Sequence, residues 1–185
     1  MEDSYIENSV KTRLILAGIK EIEDHGIKDF SLRRVALTAQ VSCAAPYRHF
    51  RDKDEMISEI IKYVASKWQL FSKEIENALS NDKRRLVIEM AVANLRFWIA
   101  NQNYRSVLIT ASAISADALV EFEAPMLSAV DAYLESIGKS ELSEKKKYAL
   151  RALVYGSLIL SSDAINRDAI VFSFREKLAQ EFDVV

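Results

Sequence analysis

The stretch from residue 41 to residue 50, VSCAAPYRHF, contains side chains suited to reading and holding DNA. Four small side chains come first, and two rings and two basic groups follow: Ser42, Cys43, Ala44, Ala45, Tyr47, Arg48, His49 and Phe50. A helix enters the major groove closely where its exposed side chains are short, and it reads bases there through hydrogen bonds and thymine methyl contacts. Rings and cations beside such a surface can bind the sugar-phosphate backbone. The pattern predicts a DNA-reading helix in which Ser42 and Cys43 meet base edges, while Ala44 and Ala45 contact thymine methyls or leave room.

Two short helices are predicted to hold this segment. Ser31 is placed to cap a helix over Leu32–Ala39, and Ser42 to cap a second helix over Cys43–Phe50. A pair of short helices joined by two residues is typical of a helix-turn-helix. Such a pair buries little apolar surface, so we expect the first helix, over about Ile6–His25, to pack across it.

The charge of the chain is unevenly distributed. The whole sequence of 185 residues has a net charge of −2. Residues 31–53, however, contain five basic side chains and only one acidic one, a local charge of +4, so the remainder has −6. A basic patch on an acidic protein indicates a surface for a polyanion.

The rest of the chain predicts further helices and no strand. A long helix begins at Asp52 or Lys53 and carries apolar residues at steps of three and four until about Leu79–Asp82. Further helices are predicted over Lys83–Ala100, Tyr104–Ala116, Pro125–Ile137, Ser143–Ile165 and Asp168–Phe182. We therefore expect an all-α protein of about nine helices. A three-helix domain over residues 1–53 is joined by the long helix to a bundle over residues 54–185.

Composition argues against several other classes of protein. The chain has two histidines and one cysteine, with no HExxH, glycine-rich phosphate loop or zinc-type spacing, so we expect no catalysis, metal or cofactor. One cysteine also excludes an internal disulfide. The acidic N-terminus is unlike a secretory signal, and no apolar run approaches the roughly 20 residues of a membrane span. A cytoplasmic location is expected.

Residues 10–60 resemble the N-terminal domain of the TetR family of bacterial transcriptional repressors. The resemblance rests on three stretches: FSLRRVA from Phe30, VS at Val41, and YRHFRDKDEM from Tyr47. It implies that Ser31, Tyr47 and His49 contact DNA phosphates, that Lys53 adds positive charge, and that Ser42, Cys43, Ala44 and Arg48 read bases. Arg33 is a further candidate for DNA contact, with a solvated helix face as the alternative.

Two residues depart from the family pattern. Gln40 stands where the family usually has glycine, and a left-handed backbone there would cost about 1–2 kcal/mol. Pro46 falls inside the expected reading helix, where its ring would clash with the carbonyl near Ser42 unless the first turn is open or 3₁₀.

The larger domain is expected to dimerise and to bind an effector. Helix-turn-helix proteins commonly read two-fold symmetric operators as dimers, which points to a palindromic DNA partner. The seam Ile170, Phe174, Leu178 and Phe182 and the small face Ala149, Ala152 and Gly156 are candidates for a homodimer interface through the last two helices, or for burial within one chain. Family members hold a small molecule in this bundle, and the candidate lining residues, suited to an apolar or aromatic effector, are Trp68, Asn94, Trp98, Tyr104, Met126 and Tyr155.

The sequence thus predicts a sequence-specific repressor that a small molecule releases from its operator. An all-helical protein-binding module without DNA binding remains the alternative, and the steep salt dependence of phosphate contacts distinguishes the two.

Overall fold

The computed structural model of the protein describes residues 9–107, 116–161 and 167–183, and these residues form helices and turns without any strand. The α-helices are α1 (Val10–His25), α2 (Leu32–Thr38), α3 (Pro46–His49), α4 (Lys53–Ala78), α5 (Lys83–Ala100), α6 (Ala116–Ser136), α7 (Ser143–Leu160) and α8 (Arg167–Glu181). Residues 102–107 are also helical, and a 3₁₀ turn covers Ser140–Leu142. The prediction of an all-α protein is confirmed.

The helices belong to two compact units. One contains the described residues up to Ser66 and those of the range Gln102–Leu119, and the other contains those of Lys67–Asn101 and from Val120 onward. None of the helices in the described part of the chain is long and apolar enough to cross a membrane.

The first unit has a continuous apolar core. Side chains with at most 2% exposure come from α1, α2, the segment before α4 and α4 itself: Leu14, Ile19, Ile22, Val35, Ala36, Phe50, Met56, Ile57, Ile60 and Val64. Gly18 lets α1 approach α4 closely, since a Cβ atom there would lie 2.5 Å from Cδ1 of Ile60. Phe50 is therefore a core residue and not part of the exposed surface of its segment.

Local signals set the ends of α1. Ser9 caps its start, where the backbone N–H of Thr12 donates to the serine hydroxyl at 3.1 Å. Gly26 ends it with a φ of 70°, and its N–H donates to the carbonyl of Ile22 at 2.9 Å. The predicted end at His25 is confirmed. The predicted start at Ile6 lies outside the described residues.

Aromatic rings hold the second unit together. The Trp98 ring meets those of Phe97 and Phe122 edge-on, with centroids 5.1 and 5.3 Å away. Close ring pairs at such angles are favourable beyond the area that they bury. α8 closes the unit by packing against α5 and α7.

One prediction about this unit is wrong. Pro125 does not start a helix but lies inside α6, where Phe122, Met126 and Val130 on both sides of it are at most 2% exposed and form one buried face. For the seam on the last helix, the structure decides between the two alternatives: Phe174, Leu178 and Phe182 are at most 2% exposed, so most of the seam is buried within the chain.

Most of the remaining helices agree with the prediction where the structure describes them. α5 has the predicted bounds, and α2, α4 and α8 agree within a few residues. The helix predicted over Ser143–Ile165 is shorter than expected, since α7 ends at Leu160 and Ser161 follows as its cap residue. The predicted helix over Tyr104–Ala116 lies partly outside the described residues.

Candidate nucleic-acid interface

The structure has a left-handed turn at the end of α2, just before residues 42–49, here called the reading segment. Gln40 has a φ of 55° and is the one non-glycine residue with positive φ among those described. Its N–H donates to the carbonyl of Leu37 at 3.1 Å, and the N–H of Val41 donates to that of Ala36 at 3.0 Å. These two bonds form a Schellman motif, which normally ends on glycine. The turn is left-handed despite its glutamine, so Gln40 carries the strain that the sequence predicted.

The reading segment is a turn followed by one turn of helix. The predicted helix over Cys43–Phe50 with Ser42 as its cap is wrong: α3 covers only Pro46–His49, and Ala45 precedes it as the cap residue. The N–H of Ala45 donates to the carbonyl of Ser42 at 2.9 Å, which closes a tight turn over residues 42–45. Pro46 lacks an N–H and its ring excludes the preceding helical turn, but at a helix start neither property matters. The proline therefore determines where α3 begins.

Most of the predicted DNA contacts are exposed. Ser42, Cys43, Ala44, Tyr47, Arg48 and His49 all lie on the surface, and Tyr47 is 64% exposed. Ala45 is different, because it is only 9% exposed and packs inward next to buried Pro46. The outward-facing small side chains are those of Ser42, Cys43 and Ala44.

A buried carboxylate that sequence reasoning missed holds α1 to the start of α2. Glu21 is 5% exposed. One of its oxygens accepts from the backbone N–H of Ser31 at 3.0 Å and from Nε of Arg34 at 2.8 Å. His25 Nδ1 lies 3.3 Å from the other oxygen. Glu21 follows Leu14 and Ala17 at helical spacing, so an acidic residue on an apolar face was the available signal.

Ser31 is held by two hydrogen bonds, one from its backbone N–H to Glu21 and one at its side chain. The Ser31 hydroxyl also accepts from the N–H of Arg34 at 3.4 Å, which confirms the predicted cap of α2. The hydrogen bond with Glu21 raises the pKa of the Arg34 guanidinium, which stays charged and paired. Arg34 is therefore a structural residue.

Lys53 has a structural role that the sequence did not indicate. Its ammonium donates to the carbonyls of Ile27 and Lys28, at 2.6 and 3.2 Å, and lies 5.9 Å from the centre of the Phe30 ring. An ammonium has three donors, so one remains for a phosphate. Lys53 thus fixes the loop after α1 and can still contribute positive charge.

Two of the arginine side chains in this interface have no carboxylate partner among the described residues. Arg33 and Arg48 are exposed, and neither forms an ion pair with a carboxylate in the described ranges. Arg51, in contrast, pairs with Asp52 at 2.8 Å. The positive charge free to meet a polyanion is therefore smaller than the count of basic residues suggests.

The candidate ligand residues fall into separate environments. Trp68, Asn94, Trp98 and Met126 are buried in the second unit, and Nε1 of Trp98 donates to the amide oxygen of Asn94 at 3.2 Å. Tyr104 is half-buried in the first unit. Four of the six predicted lining residues are thus buried within one unit, and Tyr104 lies in the other.

Tyr155 belongs to a polar cluster between α6 and α7. Its hydroxyl donates to one oxygen of Glu123 at 2.9 Å, and Nε of Arg151 donates to the other at 3.0 Å. Glu123 is 8% exposed. Burial, together with the adjacent carboxylate, raises the pKa of the Tyr155 hydroxyl, which therefore stays protonated as a donor.

A groove of about 600 Å³ lies in the second unit between α4 and α5. Of the predicted ligand residues only Trp68 lines it. No group of three or more His, Cys, Asp or Glu side chains that could hold a metal ion occurs among the residues that the structure describes.

These features define a class: an all-helical protein with an N-terminal helix-turn-helix and a separate helical unit. The model of the bacterial regulatory proteins of the tetR family matches residues 14–60. This segment contains the turn at Gln40, the reading segment and Glu21. The N-terminal part of the chain is therefore similar to the TetR family, which confirms the resemblance seen in the sequence.

The whole chain is also similar in fold to solved regulators. A transcriptional regulator from Rhodococcus sp. Rha1 has 22% identity and a TM-score of 0.72, covering 96% of this chain and 100% of its own. One from Aquifex aeolicus VF5 has 18% identity and a TM-score of 0.70, covering 93% and 99%. The regulator FadR from Bacillus subtilis, solved with stearoyl-CoA, has 14% identity and a TM-score of 0.72, covering 91% and 97%.

Identities this low establish the shared fold alone. A comparison with curated protein sequences finds no significant match. The fold is nevertheless one that solved transcriptional regulators share, and the matched N-terminal segment is similar to bacterial regulatory proteins.

Proposed function

We propose that the protein is a sequence-specific repressor that binds a palindromic operator as a homodimer and is released by a small-molecule effector. The observation that carries this proposal is the outward-facing surface of Ser42, Cys43 and Ala44 beside the exposed side chains of Tyr47 and Arg48. These exposed small residues, with a ring and a cation beside them, add nothing to the buried core of the unit. They suit close approach to base edges between two phosphate backbones.

The proposed roles follow from placement. Ser42, Cys43, Ala44 and Arg48 read bases, whereas Ser31, Arg33, Tyr47, His49 and Lys53 contact phosphates or add charge. Ala45 has no contact in this proposal, since it packs inward. Residues 1–53 would then be the DNA-binding domain and residues 54–185 the effector and dimer domain, acting in the bacterial cytoplasm.

The decisive experiment selects DNA from a random pool with the purified protein and measures binding of the selected site at several salt concentrations. Phosphate contacts predict a steep fall of affinity with salt. We expect Tyr47→Ala to weaken binding to all sequences and Cys43→Ser to change the selected sequence. A weak salt dependence, or no enrichment of any sequence, would favour the protein-binding module instead.

The proposed dimer uses the outer face of α7 with part of α8. Tyr148 and Ile159 on α7 are each 74% exposed, and Phe172 on α8 is 63% exposed. A Cβ atom built on Gly156 would meet no atom within 4 Å. The small face predicted around Ala152 is thus open, and it allows two helices to pack closely.

The dimer is tested by sedimentation at micromolar concentration. We expect Ala152→Glu to yield monomers, because a carboxylate would be buried against the partner helix. Lys73→Glu, at an exposed position of α4, is the matched charge control and should leave the dimer intact. A wild-type monomer, or dimers of both variants, would refute this interface.

The effector is the least defined part of the proposal. The similar FadR structure contains stearoyl-CoA, which supports a small-molecule ligand in this fold. α4 contributes residues to both units, so a ligand in the second unit can act on the first by preferring one position of this helix. A preference of about 10²-fold, near 3 kcal/mol, would release most of the bound operator.

A further inference from the structure

The groove between α4 and α5 has a mainly apolar lining. Its lining includes Trp68, Phe71, Ile75, Val92, Phe97 and Ala100, all within the second unit. Phe71 continues the buried stripe of α4, yet it is 56% exposed. The apolar stripe therefore extends beyond the helices that cover it, and the groove of about 600 Å³ is large enough for a small molecule.

The groove also has more unpaired guanidinium groups than unpaired carboxylates. Arg85 and Arg96 line it and are exposed, and neither forms an ion pair within the described ranges. Glu89 is already paired, since its oxygens accept from both terminal nitrogens of Arg175 at 2.5 and 2.8 Å. That hydrogen bond lowers the pKa of Glu89, and the nearby charges of Arg85 and Arg96 lower it further. Two guanidinium groups then remain against a single exposed carboxylate, that of Glu74.

A buried donor at the groove lacks an acceptor. Trp68 is fully buried, and its Nε1 has no hydrogen-bond partner in the part of the chain that the structure describes. A buried N–H without a partner costs free energy, so a rearrangement on ligand binding that brings an acceptor to it would be favourable.

We propose that this groove binds an elongated apolar molecule with one carboxylate group, and that Arg96 holds the carboxylate. This inference deepens the proposed function by naming the chemical class of the effector, and it rests on that function in taking the molecule to be an effector. The apolar lining binds the body of the molecule. The guanidinium excess selects an anion over a neutral analogue.

Arg96 is chosen over Arg85 because of the rings beside it. Phe97, the next residue, packs against Trp68 and Phe71 with ring centroids 5.7 and 6.1 Å apart. Arg96 therefore lies at the aromatic end of the groove, where Trp68 is also part of the lining. Arg85 comes eleven residues earlier, about 16 Å away along α5.

The test measures binding of decanoate and of decan-1-ol to the full-length protein by titration calorimetry. We expect decanoate to bind more tightly than decan-1-ol. Arg96→Ala should weaken decanoate binding by about 10-fold or more, the usual effect of losing a charge-assisted hydrogen bond, and leave decan-1-ol unaffected. Phe71→Ala should weaken both ligands, and Arg85→Ala is the matched control that should change decanoate binding much less.

Several results would overturn the proposal. They are failure of both probes to bind, equal binding of acid and alcohol, or a larger effect of Arg85→Ala than of Arg96→Ala. A loss of dimer on Phe71→Ala would assign the groove to a second copy of the chain. Operator binding is measured separately with and without decanoate: if decanoate binds as described but the operator is not released, the ligand site stands and the proposed effector mechanism fails.

Discussion

Gln40→Gly is predicted to stabilise the protein. Gln40 has a φ of 55°, in the left-handed region, where a residue with a Cβ atom costs about 1–2 kcal/mol relative to glycine. Glycine loses more backbone entropy on folding than glutamine does, and this loss offsets about 0.4–1 kcal/mol of the strain that the substitution relieves. The net stabilisation should be about 0.5–1 kcal/mol, since the exposed glutamine side chain has no hydrogen bond within the described residues.

The assay is thermal and urea unfolding at fixed protein concentration, because the proposed dimerisation would make the midpoint depend on concentration. For a chain of this size, that stabilisation corresponds to about 1–4 °C. Gln40→Ala is the control, because alanine shortens the side chain but keeps the Cβ atom and thus the strain. If Gln40→Ala raised the midpoint as much as Gln40→Gly, or if Gln40→Gly lowered it, the strain at this turn would not be the cause.

Three further changes test contacts that lie within one unit or the other. Glu21→Ala should lower the unfolding free energy by about 1–3 kcal/mol, measured by urea, since it leaves the N–H of Ser31 without its partner; an unchanged midpoint would mean that water replaces the carboxylate. Arg84→Ala removes donors to two carbonyls at the end of α8 and should cost about 1–2 kcal/mol, with Arg84→Lys retaining part of this; equal stability of all three proteins would contradict it. The pKa of Glu89 is lowered by Arg175, so this carboxylate stabilises the fold above about pH 4.3 and ceases to do so as the pH falls through its lower folded-state pKa. The stability difference between wild type and Glu89→Gln should therefore shrink from pH 7 to pH 3, and a difference independent of pH would refute the assignment.

The sequence predicts local features of the fold well. Ser31 and Gly26 mark helix ends through interactions with atoms only a few residues away, and both are confirmed. Pro46 shows the limit of such reasoning. The conflict between proline and a helix over Cys43–Phe50 was visible, but only the structure shows that the first turn gives way and that α3 starts at the proline.

Contacts between distant residues could not be predicted in this way. Glu21 meets Ser31 and Arg34 because α1 and α2 cross at that point, and no spacing rule encodes the crossing. The seam of Phe174 and Leu178 has the spacing of a helix interface, and that spacing is the same whether the partner helix belongs to this chain or to another. The roles of the DNA and ligand candidates remain predictions.

The outward placement of Ser42, Cys43 and Ala44 bears on how this regulator could change over evolutionary time. None of the three contributes a large buried side chain, while Val35, Phe50 and Glu21 maintain the surrounding unit. Substitutions at exposed positions without such contacts usually alter stability by less than about 0.5 kcal/mol. A lineage could therefore exchange these three residues and acquire a new set of target genes while the scaffold beneath them is inherited unaltered.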